Sequence, residues 1–195
     1  MKPIILASTS PRRLELFRSL GLPFEAIAPD YEEDNTLPLP PAELVGRLAL
    51  GKAQSVAAQH PEAIVIAADT LVVLDGRILA KPKSAVEVRS MIESLSGSWS
   101  TIVTGLAIID GSSHTVDSIE TGVHFGELTA GQIDQYAKLS EPRDKAGAYG
   151  IQLGAAGALF IDRFEGDYLS AVGLPVHTLM LRLTARGIHL LDYAR

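Results

Sequence analysis

Ile4-Ile5-Leu6-Ala7 is followed by Ser8-Thr9-Ser10-Pro11-Arg12-Arg13 and then by Leu14-Glu15-Leu16-Phe17. This order predicts a short buried strand, a tight hydroxyl-rich turn, and a helix with two arginines in its first turn. Ser10 suits the N-cap, because its side-chain oxygen can accept from a first-turn amide. Pro11 suits the first helical position, where its missing N–H costs nothing.

The turn before this helix is a candidate anion site. Unpaired backbone amides and the positive end of the helix dipole favour an anion there. The guanidinium groups of Arg12 and Arg13 match phosphate oxygens, whereas the dipole alone would favour acidic residues in the first turn. A capped helix with two solvated arginines is the structural alternative, and these residues alone leave both interpretations open.

Composition limits the class of protein. The chain has 195 residues, enough for one domain or one domain with a small lobe, and 47% of them are hydrophobic. The net charge of −6 argues against a broad basic surface for nucleic acid. The sequence contains no cysteine, which excludes disulfides, thiol catalysis and cysteine-ligated metals. With neither a signal-peptide pattern nor an apolar run of about 18 residues, we expect a cytoplasmic protein that does not bind a membrane.

Strand and helix periodicities alternate along the chain. Residues 63–68 predict a strand buried on both faces, and residues 71–79 predict a hairpin. Residues 42–59 predict a helix on which Arg47 and Lys52 lie roughly 140° apart, so only one of them can face a given site. Since hairpins occur alongside strand–helix crossovers, the alternation predicts an α/β fold with a mixed sheet.

Several acidic and basic residues are candidates for chemistry. Asp69 directly follows the apolar strand, and ligands of open α/β sheets collect beyond the carboxyl ends of strands. An acid there can hold a divalent metal or orient a water, although a turn acid is the structural alternative. Lys81 follows the hairpin and matters only if the hairpin folds it back over Asp69. Glu32 and Glu33 are candidate metal ligands, although adjacent acids in a proline-rich loop are most often solvated.

A long glycine-containing loop runs from Asp144 to Gln152. Long loops within compact domains are often functional. Gly147 and Gly150 permit a close approach of the backbone to a ligand. Gln152 carries a donor and an acceptor and could read a base edge. An ordinary surface loop is the alternative.

Taken together, these segments resemble the Maf-like nucleotide pyrophosphatases. The match covers nearly the whole chain in order: Ser8–Arg13, Glu32-Glu33, Arg47–Ala49 with Lys52-Ala53, Ala68–Thr70, Lys81-Pro82, Asp144–Gln152, Gly166–Tyr168 and Val172–Pro175. Each motif is weak alone, but their joint occurrence at matching spacing is specific. The resemblance implies a single Maf-like domain over residues 1–195. The implied fold is α/β, with a mixed twisted sheet, flanking helices and two lobes around a cleft, as in the inosine-triphosphate pyrophosphatases.

The resemblance also implies an activity. Members hydrolyse a nucleoside triphosphate to the monophosphate and pyrophosphate with a divalent metal, Mg²⁺ or Mn²⁺. The loop form Ala-Gly-Ala-Tyr-Gly-Ile-Gln looks like the branch acting on dTTP and UTP, a house-cleaning role in the nucleotide pool. A 7-methyl-GTP pyrophosphatase is one alternative, because Leu153 stands where the family usually has glycine. A nucleotide-binding regulator of septum formation with slow hydrolysis is another.

The same resemblance assigns roles by position. Asp69 matches the catalytic acid, and Arg12, Thr70 and Gln152 match the specificity positions. From these matches we further expect Asp69 and Glu33 to bind the metal. We also expect Ser8, Arg12 and Arg13 to bind the triphosphate, and Lys52 and Lys81 to neutralise phosphate charge. The resemblance also favours a homodimer.

Overall fold

A computed structural model describes residues 2–139, 145–151 and 160–193. Helices and strands alternate along the chain, as the periodicity predicts. The strands are β1 (Ile4–Ala7), β2 (Glu25–Ile27), β3 (Ile64–Leu74), β4 (Arg77–Leu79), β5 (Trp99–Asp110), β6 (Ser113–Phe125) and β7 (Ile161–Glu165). The α-helices are α1 (Pro11–Ser19), α2 (Pro41–Ala57), α3 (Ala85–Leu95), α4 (Ala130–Tyr136), α5 (Tyr168–Val172) and α6 (Val176–Thr184).

The strands form one mixed sheet in the order β2-β1-β3-β5-β6-β7, and β4 pairs with β3. β1 is parallel to both β2 and β3, whereas β3–β4 and β6–β7 are antiparallel pairs. The structure therefore confirms an α/β fold with a mixed sheet and flanking helices. Within the described ranges, no helix combines the length and apolar composition needed to cross a membrane.

The chain divides into two compact units. Unit 1 comprises Met1–Asp69, Thr104–Ile119 and Gly173–Arg195, and unit 2 comprises Thr70–Val103 and Glu120–Val172. β3, β5 and β6 each contribute residues to both units.

Unit 1 is built around β1, whose four residues are all buried. Alternate residues of a strand point to opposite faces of a sheet, and here they enter two apolar clusters. Leu6 lies in one cluster with Phe17 of α1 and Leu179 of α6. Ile5 lies in the other cluster with Ala53 of α2. The wholly apolar sequence of β1 follows from having helices on both faces.

Helix α2 lies close to the sheet at Gly105 of β5. A Cβ at Gly105 would lie 2.4 Å from the carbonyl oxygen of Val45, so only glycine permits this approach. The face of α2 directed at the sheet includes Lys52, which is buried, whereas Arg47 is exposed. This confirms that only one of the two cations faces the interior.

Unit 2 contains the predicted hairpin and the described part of the long loop. Asp75 and Gly76, between β3 and β4, have φ values of 49° and 74°, as in hairpin turns that need two left-handed residues. In the loop, Tyr149 packs edge-on against Phe125 with ring centroids 4.7 Å apart. Its hydroxyl lies 3.2 Å from Oγ of Ser100. The loop is therefore anchored through a buried aromatic residue.

Candidate active site

The turn after β1 is organised by Ser8. Helix α1 begins at Pro11, as predicted. Ser10 is the N-cap residue, as predicted, but its side chain accepts no hydrogen bond from the first turn. Instead, the Ser10 N–H donates to Oγ of Ser8 at 3.1 Å. Ser8 is buried, and its hydroxyl fixes the backbone that leads into the helix.

The two arginines in the first turn of α1 lie in different surroundings. Nε of Arg13 donates to the carbonyl oxygen of Gly173 at 2.8 Å. Burial lowers the pKa of Arg13, the carboxylates of Asp69 and Glu33 act against this, and the charge of Arg12 adds to it. Arg13 is therefore held by the backbone within electrostatic reach of two acidic side chains and of Arg12, which is partly buried.

Lys52 joins the two acidic side chains. Its Nζ lies 2.5 Å from Oδ1 of Asp69 and 2.7 Å from Oε1 of Glu33. Lys52 and Asp69 are only 7% and 6% exposed, whereas the Glu33 side chain is 43% exposed. A buried ammonium needs such partners, because an uncompensated buried charge is strongly destabilising. Of the two adjacent acids in the loop, Glu33 is therefore the one that reaches the site.

The position of Asp69 in its strand differs from the prediction. It lies within the eleven-residue strand β3 and does not follow the strand's end. The neighbouring strand β1 stops at Ala7, and its Leu6 is paired with Ile66. Asp69 therefore still lies beyond the carboxyl end of β1. Because neighbouring residues of a strand project to opposite faces, the side chains of Asp69 and Thr70 point away from each other.

Lys81 and the described part of the long loop belong to unit 2. Lys81 is exposed in unit 2, two residues after the end of β4. The N–H of Gly147 donates to the carbonyl oxygen of Ala80, the residue before Lys81, at 3.3 Å. The described part of the long loop therefore lies beside the segment that carries Lys81. Gln152 and Asp144 lie outside the described residues.

The donor set fits a divalent cation bound together with a substrate. In the described part of the chain, no group of three or more histidine, aspartate or glutamate side chains could hold a metal on its own. Mg²⁺, however, is commonly bound by one or two carboxylates together with water and substrate phosphates. Asp69 and Glu33 already converge on one cationic group, Nζ of Lys52. Two carboxylates that share an ammonium can supply such a pair of ligands.

Gly173 is a part of the site that the sequence did not reveal. Its backbone carbonyl holds Arg13, a contact that joins positions 160 residues apart in the chain. The only sequence signal is that Gly173 lies in one of the segments carrying the resemblance. A carbonyl acceptor has no side-chain signature, so its partner could not be read from the sequence.

Comparison with known proteins decides the family. The model of the Maf-like protein family matches residues 3–186. The chain belongs to the Maf-like family. This Maf-like protein is 47% identical over 187 residues to a dTTP/UTP pyrophosphatase of Symbiobacterium thermophilum, covering 96% of this chain and 95% of the relative. A dTTP/UTP pyrophosphatase of Bacillus cytotoxicus is 45% identical over 183 residues, covering 94% and 95%.

Among solved structures, a HAM1 protein from Coxiella burnetii matches this Maf-like protein with a TM-score of 0.49 and 17% identity. The match covers 66% of this chain and 75% of that one. The Ham1 protein of Staphylococcus aureus matches with a TM-score of 0.46 and 17% identity, over 64% and 72% of the two chains. The resemblance to the Maf-like family is thus confirmed by the family model and the close relatives.

Proposed function

We propose that this Maf-like protein is a nucleoside triphosphate pyrophosphatase that hydrolyses dTTP and UTP to the monophosphate and pyrophosphate. Relatives 44–47% identical over nearly the whole chain bear the name dTTP/UTP pyrophosphatase. The observation that carries the proposal is the convergence of Asp69, Glu33 and Lys52, with Arg13 beside them. Catalysis of this reaction consists chiefly of positioning and electrostatic stabilisation, which such a cluster provides.

The triphosphate would bind at the N terminus of α1. Arg12 and Arg13 supply positive charge, and the helix dipole adds to it. The hydroxyl of Ser8 accepts from the Ser10 N–H, so its own hydrogen can be donated to a phosphate oxygen. Held by Gly173, the guanidinium of Arg13 needs little reorganisation when substrate binds.

Asp69 would orient the attacking water and take its proton. The water oxygen bonds to the α-phosphorus while the bond from that phosphorus to the bridging oxygen breaks. The electron pair leaves with pyrophosphate, and the proton passes to the Asp69 carboxylate. Lys52 fixes this carboxylate by its 2.5 Å contact, so that it is already in place when substrate binds.

Asp69 and Glu33 are the residues that would hold Mg²⁺ or Mn²⁺. When bound, the metal neutralises charge that develops on the phosphate oxygens. The predicted role of Lys52 in neutralising phosphate charge stays a prediction, because the structure places its ammonium on the two carboxylates. The same role for Lys81 also stays a prediction.

Base recognition by Arg12, Thr70 and Gln152 is likewise proposed from the resemblance. A site built to hydrogen-bond its substrate rejects analogues that leave its polar groups unpaired. The homodimer, the cytoplasmic location, and the lack of nucleic-acid and membrane partners remain predictions from the sequence.

The test is pyrophosphate release from dTTP, UTP, CTP, GTP and 7-methyl-GTP, with Mg²⁺ and with Mn²⁺. We expect turnover of dTTP and UTP, and a loss of about 10²–10³ in rate for Asp69→Asn, the size seen when one preorganised electrostatic group is removed. Asp75→Asn is the matched control, since Asp75 is an exposed turn residue that follows the same strand. Near-normal turnover by Asp69→Asn would overturn the assignment of Asp69. Turnover confined to 7-methyl-GTP would overturn the choice of substrate and keep the chemistry.

A further inference from the structure

The segment that carries Glu33 has little regular structure of its own. Residues 28–40, between β2 and α2, contain neither helix nor strand. Glu33 itself is exposed, yet its carboxylate lies 2.7 Å from Nζ of the buried Lys52. Since no strand ladder fixes this segment, its position against α2 depends on side-chain contacts.

Tyr31 supplies such a contact, because its ring lies on Gly51 of α2. A Cβ at position 51 would lie 2.3 Å from both Cε2 and Cζ of Tyr31 and 2.8 Å from its hydroxyl oxygen. These distances are far shorter than a carbon–carbon contact of about 3.5–4.0 Å. The ring therefore occupies the space that any side chain at position 51 would need.

From this packing we infer that Gly51 and Tyr31 are positioning residues that place the Glu33 carboxylate on Lys52. Tyr31 precedes Glu33 by two residues, and Gly51 directly precedes Lys52, so the ring contact and the ion pair are adjacent on both segments. Glycine is a poor helix former, and Gly51 lies in the interior of the 17-residue helix α2. The contact with Tyr31 gives the physical reason for glycine at this position.

A purely structural role for the ring makes a different prediction. If Tyr31 only covered apolar surface, then Gly51→Ala would leave the ion pair between Glu33 and Lys52 unchanged. If the ring places Glu33, then Gly51→Ala must displace both the ring and the Glu33 carboxylate. The effect of Gly51→Ala on the acylation rate of Lys52 must then not add to the effect of Glu33→Gln. Alanine itself favours the helix, so loss of helix propensity cannot explain an effect.

The first experiment needs no substrate. The acylation rate of Lys52 is measured by peptide mass spectrometry relative to the exposed Lys138, in wild type and in Gly51→Ala, Tyr31→Ala, Tyr31→Phe, Glu33→Gln and Gly51→Ala/Glu33→Gln. We expect Gly51→Ala and Tyr31→Ala to raise the relative rate to that of Glu33→Gln, and the double variant to match the single ones. Tyr31→Phe should behave as wild type does, because it keeps the ring. A wild-type rate in Gly51→Ala would overturn the inference.

The second experiment rests on the proposed function. Displacing a group by about 1 Å can lower a rate by about 10²-fold, so we expect Gly51→Ala to lose roughly 10- to 100-fold in kcat/KM for dTTP and to need more Mg²⁺ for half-maximal rate. Gly131→Ala in α4 is the matched control, since a Cβ there meets nothing within 4 Å. Full activity in Gly51→Ala, beside a deficient Glu33→Gln, would overturn the inference and leave the proposed function intact. If wild type hydrolyses none of the nucleotides, the proposed function fails, and the acylation rates alone decide the positioning role.

Discussion

At the scale of the residue, the site is a small balanced set of charges. The formal charges of Asp69 and Glu33 are matched by those of Lys52 and Arg13, and Arg12 adds one positive charge beyond the balance. Burial of Lys52 and Asp69 makes their contact strong and makes its loss costly. A buried ion pair is weak evidence of net stabilisation, however, so its placement near the proposed anion-binding turn is better explained by function.

The geometry of Arg13 predicts that arginine and lysine are not interchangeable there. Arg13→Lys keeps the charge but loses the Nε donor to the Gly173 carbonyl. Hydrogen bonds to charged groups contribute about 1.5–3 kcal/mol, so we expect kcat/KM to fall roughly 10- to 100-fold. Arg18→Lys, at an exposed position in the last turn of the same helix, should leave kcat/KM unchanged. Steady-state kinetics with dTTP would measure both, and equal values for the two variants would contradict the role given to the Nε contact.

The sequence predicts Asp69, Lys52 and Glu33 as site residues, but the residues alone leave open whether Glu32 or Glu33 reaches the site. Asp69 stands out in the sequence because a charged residue follows a run of apolar residues. The choice of Glu33 depends on the ring of Tyr31 lying against Gly51, a contact that joins two segments 20 residues apart. Local pattern carries no information about such packing.

At the scale of the element, we expect substitution of two glycines by alanine to change the free energy of unfolding in opposite directions. A Cβ meets nothing within 4 Å at either Gly76 or Gly131, so steric clash is absent from both substitutions by alanine. Gly76 has a φ of 74°, and alanine there costs about 1–2 kcal/mol. Gly131 is helical, and alanine there should add about 0.5–1 kcal/mol. Urea unfolding of both variants would show the difference, and a shift in the same direction for both would refute the assigned backbone conformations.

The elements themselves were predicted well where turn chemistry marks their ends. Pro11 starts α1, and Gly21, with a φ of 72°, follows its end. The sequence predicts a strand that ends before Asp69, but β3 continues to Leu74. Strand pairing is made by the backbone, so two polar residues interrupt an apolar pattern without interrupting the ladder.

The buried tyrosine of the long loop leads us to expect that the protein loses stability at alkaline pH. Burial raises the pKa of Tyr149 to about 12, against an ordinary value of 10.0. Between these two pH values the folded protein keeps a proton that the unfolded chain has lost, so stability falls as pH rises from about 10 to about 12. The two-unit difference corresponds to about 2–3 kcal/mol, present in full below pH 10.

Tyr149→Phe removes the titrating group and should abolish this part of the alkaline fall. Urea unfolding at several pH values between 9 and about 12 would measure it. Tyr168→Phe, which changes a 45% exposed side chain, is the control that should keep the fall. An equal fall in wild type and Tyr149→Phe would show that other groups cause it.

At the scale of the whole molecule, charge alone would not bring a nucleotide to this protein. The chain carries a net charge of −6, and a nucleoside triphosphate is also negative. In the proposed binding mode, attraction is local, at the arginines in the first turn of α1, where screening by salt limits repulsion from charges more than about 10 Å away. The metal bound to the phosphates would further reduce the repulsion.

Nucleotide binding should stabilise the protein even when hydrolysis is removed. Asp69→Asn keeps Ser8, Arg12 and Arg13 and should still bind dTTP with Mg²⁺. A ligand at 100 times its Kd stabilises the folded state by about 2.7 kcal/mol. For a chain of 150–250 residues this corresponds to a rise in Tm of roughly 5–11 °C. Differential scanning fluorimetry across a series of dTTP concentrations would measure the rise, with Arg13→Lys/Asp69→Asn as the weakened control. No concentration-dependent rise in Asp69→Asn, or an equal rise in both variants, would show that the arginine-bearing turn of α1 does not hold the triphosphate.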